Sequence, residues 1–300
     1  MRTVIYVRFD SKDIPGGAQA ILGQAGCGPD VAEVEDIPIL KQVVVRVELD
    51  ETDPRVPVLL QLLRDHGEDW LERHEDRYTE EELDSARLLL MQPNRECEID
   101  GGVKWGVTYD LSTGCPACGS GATQTSAVFV DGQDLKELEG HRAGATYHWH
   151  YLVDEALAAD LDAIGATGLS FRSVYAVMPD GRQVKLRWKQ MVAARSLPPM
   201  SPRSSGFERD RDCEVCRRNG YFEMDEEPTR VIYRASDLHD ADDVNWSWEQ
   251  QGFAVLEPDL RASLLSHPWL VVTPKVRRVL RDAGVTEFDW FPIRVDDSAA

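Results

Sequence analysis

Cys115-Pro-Ala-Cys118-Gly119 and, farther along, Cys213-Glu-Val-Cys216 are the two stretches on which the reading of this chain turns. Each C-x-x-C turn aims two thiolates at one point, and a tetrahedral ion such as Zn²⁺ takes four. The pair therefore predicts one closed Zn²⁺ site built from Cys115, Cys118, Cys213 and Cys216, joining the middle of the chain to its later part. Four thiolates leave the ion no open coordination position, so such a site holds a fold together and activates no water. Gly114, Gly119 and Gly121 bracket the first knuckle, where glycine lets backbone N–H groups turn in toward the sulfurs. Cys27 and Cys97 have no neighbouring His or second Cys and read as ordinary thiols.

Outward from the knuckles, two similar segments appear. Residues 154–164 predict a helix burying Leu157, Leu161 and Ile164, then Gly165, then a strand through Leu169 and Phe171. Thr273-Pro274 starts a second helix, which buries Val276, Val279 and Leu280 and leads through Gly284 to a strand with Phe288 and Trp290. Two helix-Gly-strand units point to a pseudo-repeated arrangement, although any helix-to-strand turn resembles this pattern. Between them, residues 174–178 and 183–188 read as a hairpin with Asp180-Gly181 in its turn, and residues 197–206 read as a linker. Residues 296–300 read as a frayed end.

Two further stretches are candidates for function. In Tyr147-His-Trp-His150-Tyr151, a strand places His148 and His150 on one face, either as metal or catalytic groups or as part of a partner-facing aromatic strand. The acidic run holding Asp237, Asp240, Asp242 and Asp243 either presents carboxylates to a basic partner or is a solvated loop. No phosphate-binding Gly-rich loop, H-E-x-x-H, G-x-S-x-G or dinucleotide fingerprint occurs.

Upstream, residues 1–95 read as a separate α+β module. Strands are expected over residues 3–9, 31–39 and 42–49, with a short helix over 18–24. A second helix starts at Asp53-Pro54 and stops at Gly67, and a third starts in the capping box at Thr79 and runs through Leu83, Ala86, Leu89 and Leu90 to Pro93. His66 and His74, among many acids, read as a solvated helix exit, with metal binding the alternative. The predicted fold class is α+β: this module, then a zinc-knuckle-stapled α/β domain over residues 96–300 with the two helix-Gly-strand units.

Composition sets limits on the partner. Fifty-three acidic residues against 33 Lys and Arg give a formal charge of -20, which argues against nucleic acid or an anionic membrane, since either requires Lys and Arg to displace counterions. A basic protein partner fits better. The first residues alternate like a strand and show no signal-peptide pattern, and no apolar run approaches a membrane span. Cytoplasmic placement is the expectation, and there paired knuckles hold metal rather than disulfides.

With Cys115-Pro-Ala-Cys118-Gly119, Cys213-Glu-Val-Cys216 and the closing segment from Thr273-Pro274 to Phe291-Pro292, the chain resembles the bacterial double-CXXCG proteins grouped with immunity proteins of contact-dependent toxin systems, best described in myxobacteria. The resemblance covers roughly residues 100–295 and departs from the family at Arg217, which stands where the second knuckle has glycine. It implies a metal held by Cys115, Cys118, Cys213 and Cys216, and a non-enzymatic protein that neutralises a cognate toxin by binding it. The alternative is an enzyme or nucleic-acid-processing accessory with a cleft around His148 and His150.

Overall fold

The structure, a computed structural model, describes residues 1–296, and the part of the frayed end beyond Asp296 lies outside them. The fold is α+β, and the chain divides into two compact units. Met1–Thr79 and Glu223–Thr229 form one; Glu80–Phe222 and the chain from Arg230 onward form the other. The division thus falls at Thr79 rather than at residue 95, and a later segment returns to the first unit.

The first unit consists of β1 (Arg2–Asp10), α1 (Gly17–Ala25), β2 (Ala32–Ile37), β3 (Gln42–Asp50), α2 (Arg55–His66) and β4 (Trp70–Arg77). Its sheet has the order β2-β3-β1-β4 with every neighbour antiparallel, the split β-α-β arrangement. Ile5, Val7 and Phe9 of β1 and Val45, Val47 and Leu49 of β3 meet Ile21 and Leu22 of α1 and Leu59 and Leu63 of α2 in one core. β4 occupies what the sequence presented as a helix exit. Its core-side positions are Trp70, Glu72, His74 and Asp76, a polar set on an edge strand, so the alternation that marks a strand is hidden. The His74 ring sits between Glu51 (3.0 Å) and Glu72 (2.9 Å), and its backbone N–H donates to the carbonyl of Asp225 (2.7 Å).

The second unit opens with α3 (Glu80–Ser85), which ends well before Pro93. The apolar run after it is instead β5 (Leu89–Pro93), buried along its whole length. A short continuous apolar run is compatible with either a helix or a central strand, and here the central position in a sheet decides. Then come β6 (Glu98–Ile99), β7 (Tyr109–Asp110), β8 (Thr123–Gln124), β9 (Val128–Asp131), β10 (Ala143–Thr146), β11 (Tyr151–Asp154), α4 (Glu155–Ala163), β12 (Leu169–Val177) and β13 (Gln183–Ala193). The later part holds β14 (Phe207–Arg209), β15 (Tyr221–Glu223), β16 (Ile232–Arg234), β17 (Val244–Gln251), β18 (His267–Val272), α5 (Pro274–Asp282), β19 (Phe288–Pro292) and β20 (Arg294–Asp296).

Two six-stranded sheets result, β6-β10-β11-β13-β12-β9 and β14-β15-β17-β18-β5-β19. They share one plan, which extends the helix-Gly-strand likeness. In each half a strand (β9 or β16) leads through a 3₁₀ turn (Leu135–Leu138 or Ala235–Leu238) into a hairpin (β10–β11 or β17–β18), a helix (α4 or α5) and a final strand. β9 lies parallel to β12, as β16 does to β20. A strand from outside the repeat, β13 or β5, is inserted antiparallel between the hairpin and the strand after the helix. The two helices pack against each other. One knuckle precedes each copy, so the halves of the unit each bring two cysteines. Among the described residues no helix is long and apolar enough to cross a membrane.

Candidate metal centre

The first knuckle hangs from the two-stranded β7–β8 ladder, in which Tyr109 pairs with Gln124 and Asp110 with Thr123. Inside the loop the Cys115 N–H donates to the Ser120 carbonyl (2.9 Å) and the Gly119 N–H to the Cys115 carbonyl (2.8 Å). Gly119 takes φ 74, a left-handed conformation that costs glycine almost nothing. The second knuckle repeats this turn with different side chains. The Arg217 N–H donates to the Cys213 carbonyl (2.8 Å), and Arg217 itself takes φ 56. Arg217, which follows the second Cys of its knuckle as Gly119 follows that of the first, therefore adopts the same left-handed conformation. The Cys213 N–H is received by the Asn219 side chain (2.9 Å), which is buried at 1% exposure and replaces the backbone acceptor of the first loop.

The loops bring four sulfurs together. Cys115 Sγ lies 3.8 Å from Cys213 Sγ, Cys118 Sγ lies 3.6 Å from Cys216 Sγ, and all four fall within 4.8 Å of one another. A tetrahedron with Zn–S bonds of about 2.3 Å has edges of about 3.8 Å. All six cysteines are free thiols. The donor set and spacing therefore fit a metal ion held by Cys115, Cys118, Cys213 and Cys216, and each pair of matching positions comes from opposite halves of the repeat.

The surroundings divide the sulfurs, favouring charge on Cys213 and opposing it on Cys216 and Cys118. Burial pushes the Cys213 thiol up, but the backbone N–H groups of Cys216 and Val215 and the neighbouring thiols outweigh it and bring it down to about 7. Cys216 is pushed up to about 12, first by burial and then by the Cys118 and Cys115 thiols, and burial also raises Cys118. Thiols this close oppose one another's ionisation, and a divalent cation removes the conflict. The Ser120 hydroxyl sits 3.1 Å from Cys118 Sγ and continues through Ser266 (3.0 Å) to Gln250 (2.8 Å), a buried hydroxyl chain behind the sulfurs. Arg218 supplies a positive charge that interacts with Cys216 and Cys118. Its Nε donates to the Trp248 carbonyl (3.1 Å), and its guanidinium occupies the space that a side chain at Gly121 would fill.

The other sequence candidates are distributed differently. His148 and His150 do not share a strand face, because residues 147–150 form the tip of the β10–β11 hairpin with Trp149 at φ 55. His267 of β18 joins them, its ring centroid 5.2 Å from that of His150 and 5.9 Å from that of His148. Burial lowers all three, His150 to about 3 and His267 well below the ordinary imidazole value. Among the described residues only the four cysteines gather as metal ligands. In the acidic run, Asp243 is occupied by Thr167, Thr273 and Lys275, and Asp242 by Arg195 (2.8 Å). Asp240 remains open to solvent, and Asp237 is partly so. Asn219, Ser120, Arg218 and His267 escaped the sequence reading. Of these Ser120, beside the first knuckle, and Arg218 and Asn219, beside the second, had a local signal, and His267 had none.

No family model matches the chain, and no curated protein matches it in sequence.

Proposed function

We propose that this protein is a cytoplasmic, non-enzymatic immunity factor that binds and neutralises a cognate bacterial toxin, and that Cys115, Cys118, Cys213 and Cys216 hold a structural Zn²⁺. The observation that carries this reading is the closed four-sulfur cluster, which has the spacing of a tetrahedral site and no position left for a reacting water. The two knuckles also carry the likeness to the double-CXXCG immunity proteins, and the left-handed Arg217 gives the second the backbone turn that Gly119 gives the first. A formal charge of -20 fits a basic toxin face, where complementary charge raises association rate and selectivity.

The test is co-expression with the product of the adjacent reading frame, followed by affinity purification and a growth-protection assay. The expected result is a stable complex whose formation slows with added salt, with protection that depends on the complex. A chain that neither captures that product nor protects against it refutes the toxin reading, whatever its metal content.

One observation favours a catalytic alternative: His150 and His267 line a cleft of about 480 Å³. Both His150 nitrogens, however, are engaged, Nδ1 with Thr146 (2.8 Å) and Nε2 with Tyr109 (2.9 Å), and burial keeps the ring neutral. A ring so held is a poor general base at neutral pH.

A further inference from the structure

The same cleft contains a charge that the protein leaves uncompensated. Its floor is formed by alternate residues of two paired strands, Ser170 and Arg172 of β12 opposite Val192 and Gln190 of β13. Arg172 Nη1 is closed off from solvent and has no hydrogen-bond partner, and among the described residues no carboxylate pairs with this guanidinium. The nearest amides are occupied, because Gln124 and Gln190 donate to each other's side-chain oxygens at 3.0 and 2.8 Å. In a chain with 20 more acidic than basic residues, an arginine left beside a neutral phenol and a neutral imidazole is out of keeping with the whole. Burial also lowers the Arg172 pKa, the mark of a cation without a counter-charge.

A second donor points to the same place, by proton accounting. Thr146 Oγ1 accepts from the backbone N–H groups of His148 (3.3 Å) and His150 (3.1 Å), which uses both of its lone pairs. Its own proton must therefore go to His150 Nδ1, 2.8 Å away. That fixes the imidazole as the Nε2–H tautomer, so Nε2 donates to the Tyr109 oxygen at 2.9 Å. The Tyr109 hydroxyl proton is then free of the histidine, and Tyr109 lines the cleft with Arg172.

We propose that this cleft binds a small anionic molecule through a carboxylate or phosphate group, with the oxyanion held by the Arg172 guanidinium and the Tyr109 hydroxyl. A guanidinium offers a planar fork suited to two oxygens of one oxyanion, and the phenol adds a third donor. The volume admits a ligand of metabolite size rather than a bare ion. Gln124 and Gln190, already paired with each other, brace the floor against the β7–β8 ladder.

The test is calorimetric titration and thermal shift of the purified, metal-loaded protein with inorganic phosphate in one arm and succinate in the other, at low ionic strength with chloride as control. At least one probe should bind and raise Tm. Arg172→Gln should abolish that response while leaving the probe-free protein at least as stable as wild type. Tyr109→Phe should weaken binding by about tenfold or more, the loss of one hydrogen bond to a charged group. Nitrogen NMR of His150 should report the Nε2–H tautomer. Binding only in the phosphate arm assigns a phosphorylated ligand, and binding only in the succinate arm a carboxylate. The proposal is overturned if neither probe binds, if Arg172→Gln binds as well as wild type, or if that variant unfolds, since unfolding shows that Arg172 has a structural partner. None of these outcomes depends on a protein partner, so they are separable from the toxin reading.

Discussion

Replacement of Glu249 by Gln should make the protein more stable at alkaline pH and change little at acid pH. Glu249 lies on β17 at 2% exposure, with its Oε1 accepting the Met200 N–H at 2.8 Å. Burial pushes its carboxyl up from 4.5 to about 7, and the hydrogen bond and the nearby Arg218 and Arg209 recover only part of the lost hydration. The folded protein therefore holds this proton more tightly than the unfolded chain does. Below 4.5 both states are protonated and nothing is lost. Between 4.5 and about 7 the unfolded chain ionises first and stability falls, and above 7 the full cost is present. At 1.36 kcal/mol for each pH unit, the cost is about 3 kcal/mol. Gln keeps the acceptor for Met200 and carries no charge. Urea unfolding of wild type and Glu249→Gln, with metal saturating, should give nearly equal midpoints at about pH 4.5 and an advantage to the variant of up to about 3 kcal/mol at about pH 8.5. Subtracting one protein from the other cancels the pH dependence of the cysteines. A difference that stays flat from acid to alkaline pH would mean that Glu249 titrates as an exposed carboxylate does, and the reasoning from burial would fail.

Three other perturbations bear on the metal centre. Arg217→Gly should stabilise the protein by about 1 kcal/mol, because a left-handed residue with a Cβ is strained where glycine is not; equal or lower stability in chemical denaturation contradicts the assigned turn. Asn219→Ala strips the Cys213 N–H of its buried acceptor and should cost about 1–3 kcal/mol, read together with faster metal loss to a chelator. Cys115→Ser should lower bound metal from one ion per chain to substoichiometric levels and depress Tm, and chelation of wild type should do the same; a chain that melts unchanged after complete chelation has no structural ion.

Legibility in the sequence followed how local the determining physics was. The knuckles, α2 with Gly67 and α5 with Thr273-Pro274 were readable because each is set by a few neighbouring residues. β4 was not, since its core-side Glu72, His74 and Asp76 are tolerated only by an edge strand with polar partners. β5 was misread as helix because Leu88 to Met91 are apolar without period, and only insertion between β18 and β19 selects a strand. The repeat was half visible: its helices and glycines have a pattern in sequence, whereas the inserted strands β13 and β5 come from outside each copy. The cleft was invisible for a stronger reason. Tyr109, Arg172 and His267 stand in three different segments, and none carries a motif.

The repeat also explains why the four-cysteine cluster has the form it does. A single knuckle supplies two thiolates, half of a tetrahedral sphere, and the loop around it has little core of its own. Only when both halves of the second unit are assembled do Cys115 and Cys213, 98 residues apart, reach bonding range of one ion. An ion there closes a loop of that length in every state in which it stays bound. By the chain-entropy account used for disulfides, a loop of about 100 residues is worth about 4.7 kcal/mol against the unfolded chain. The cleft shares this seam. Gly119, Gly121 and Arg218 of the knuckles line it together with Arg172 and Gln190 from the first half and Trp246 and His267 from the second. Anything that loosens the four sulfurs therefore loosens the wall that holds Arg218 near the cleft, and metal occupancy and the shape of the cleft are tied to one structural element rather than to two.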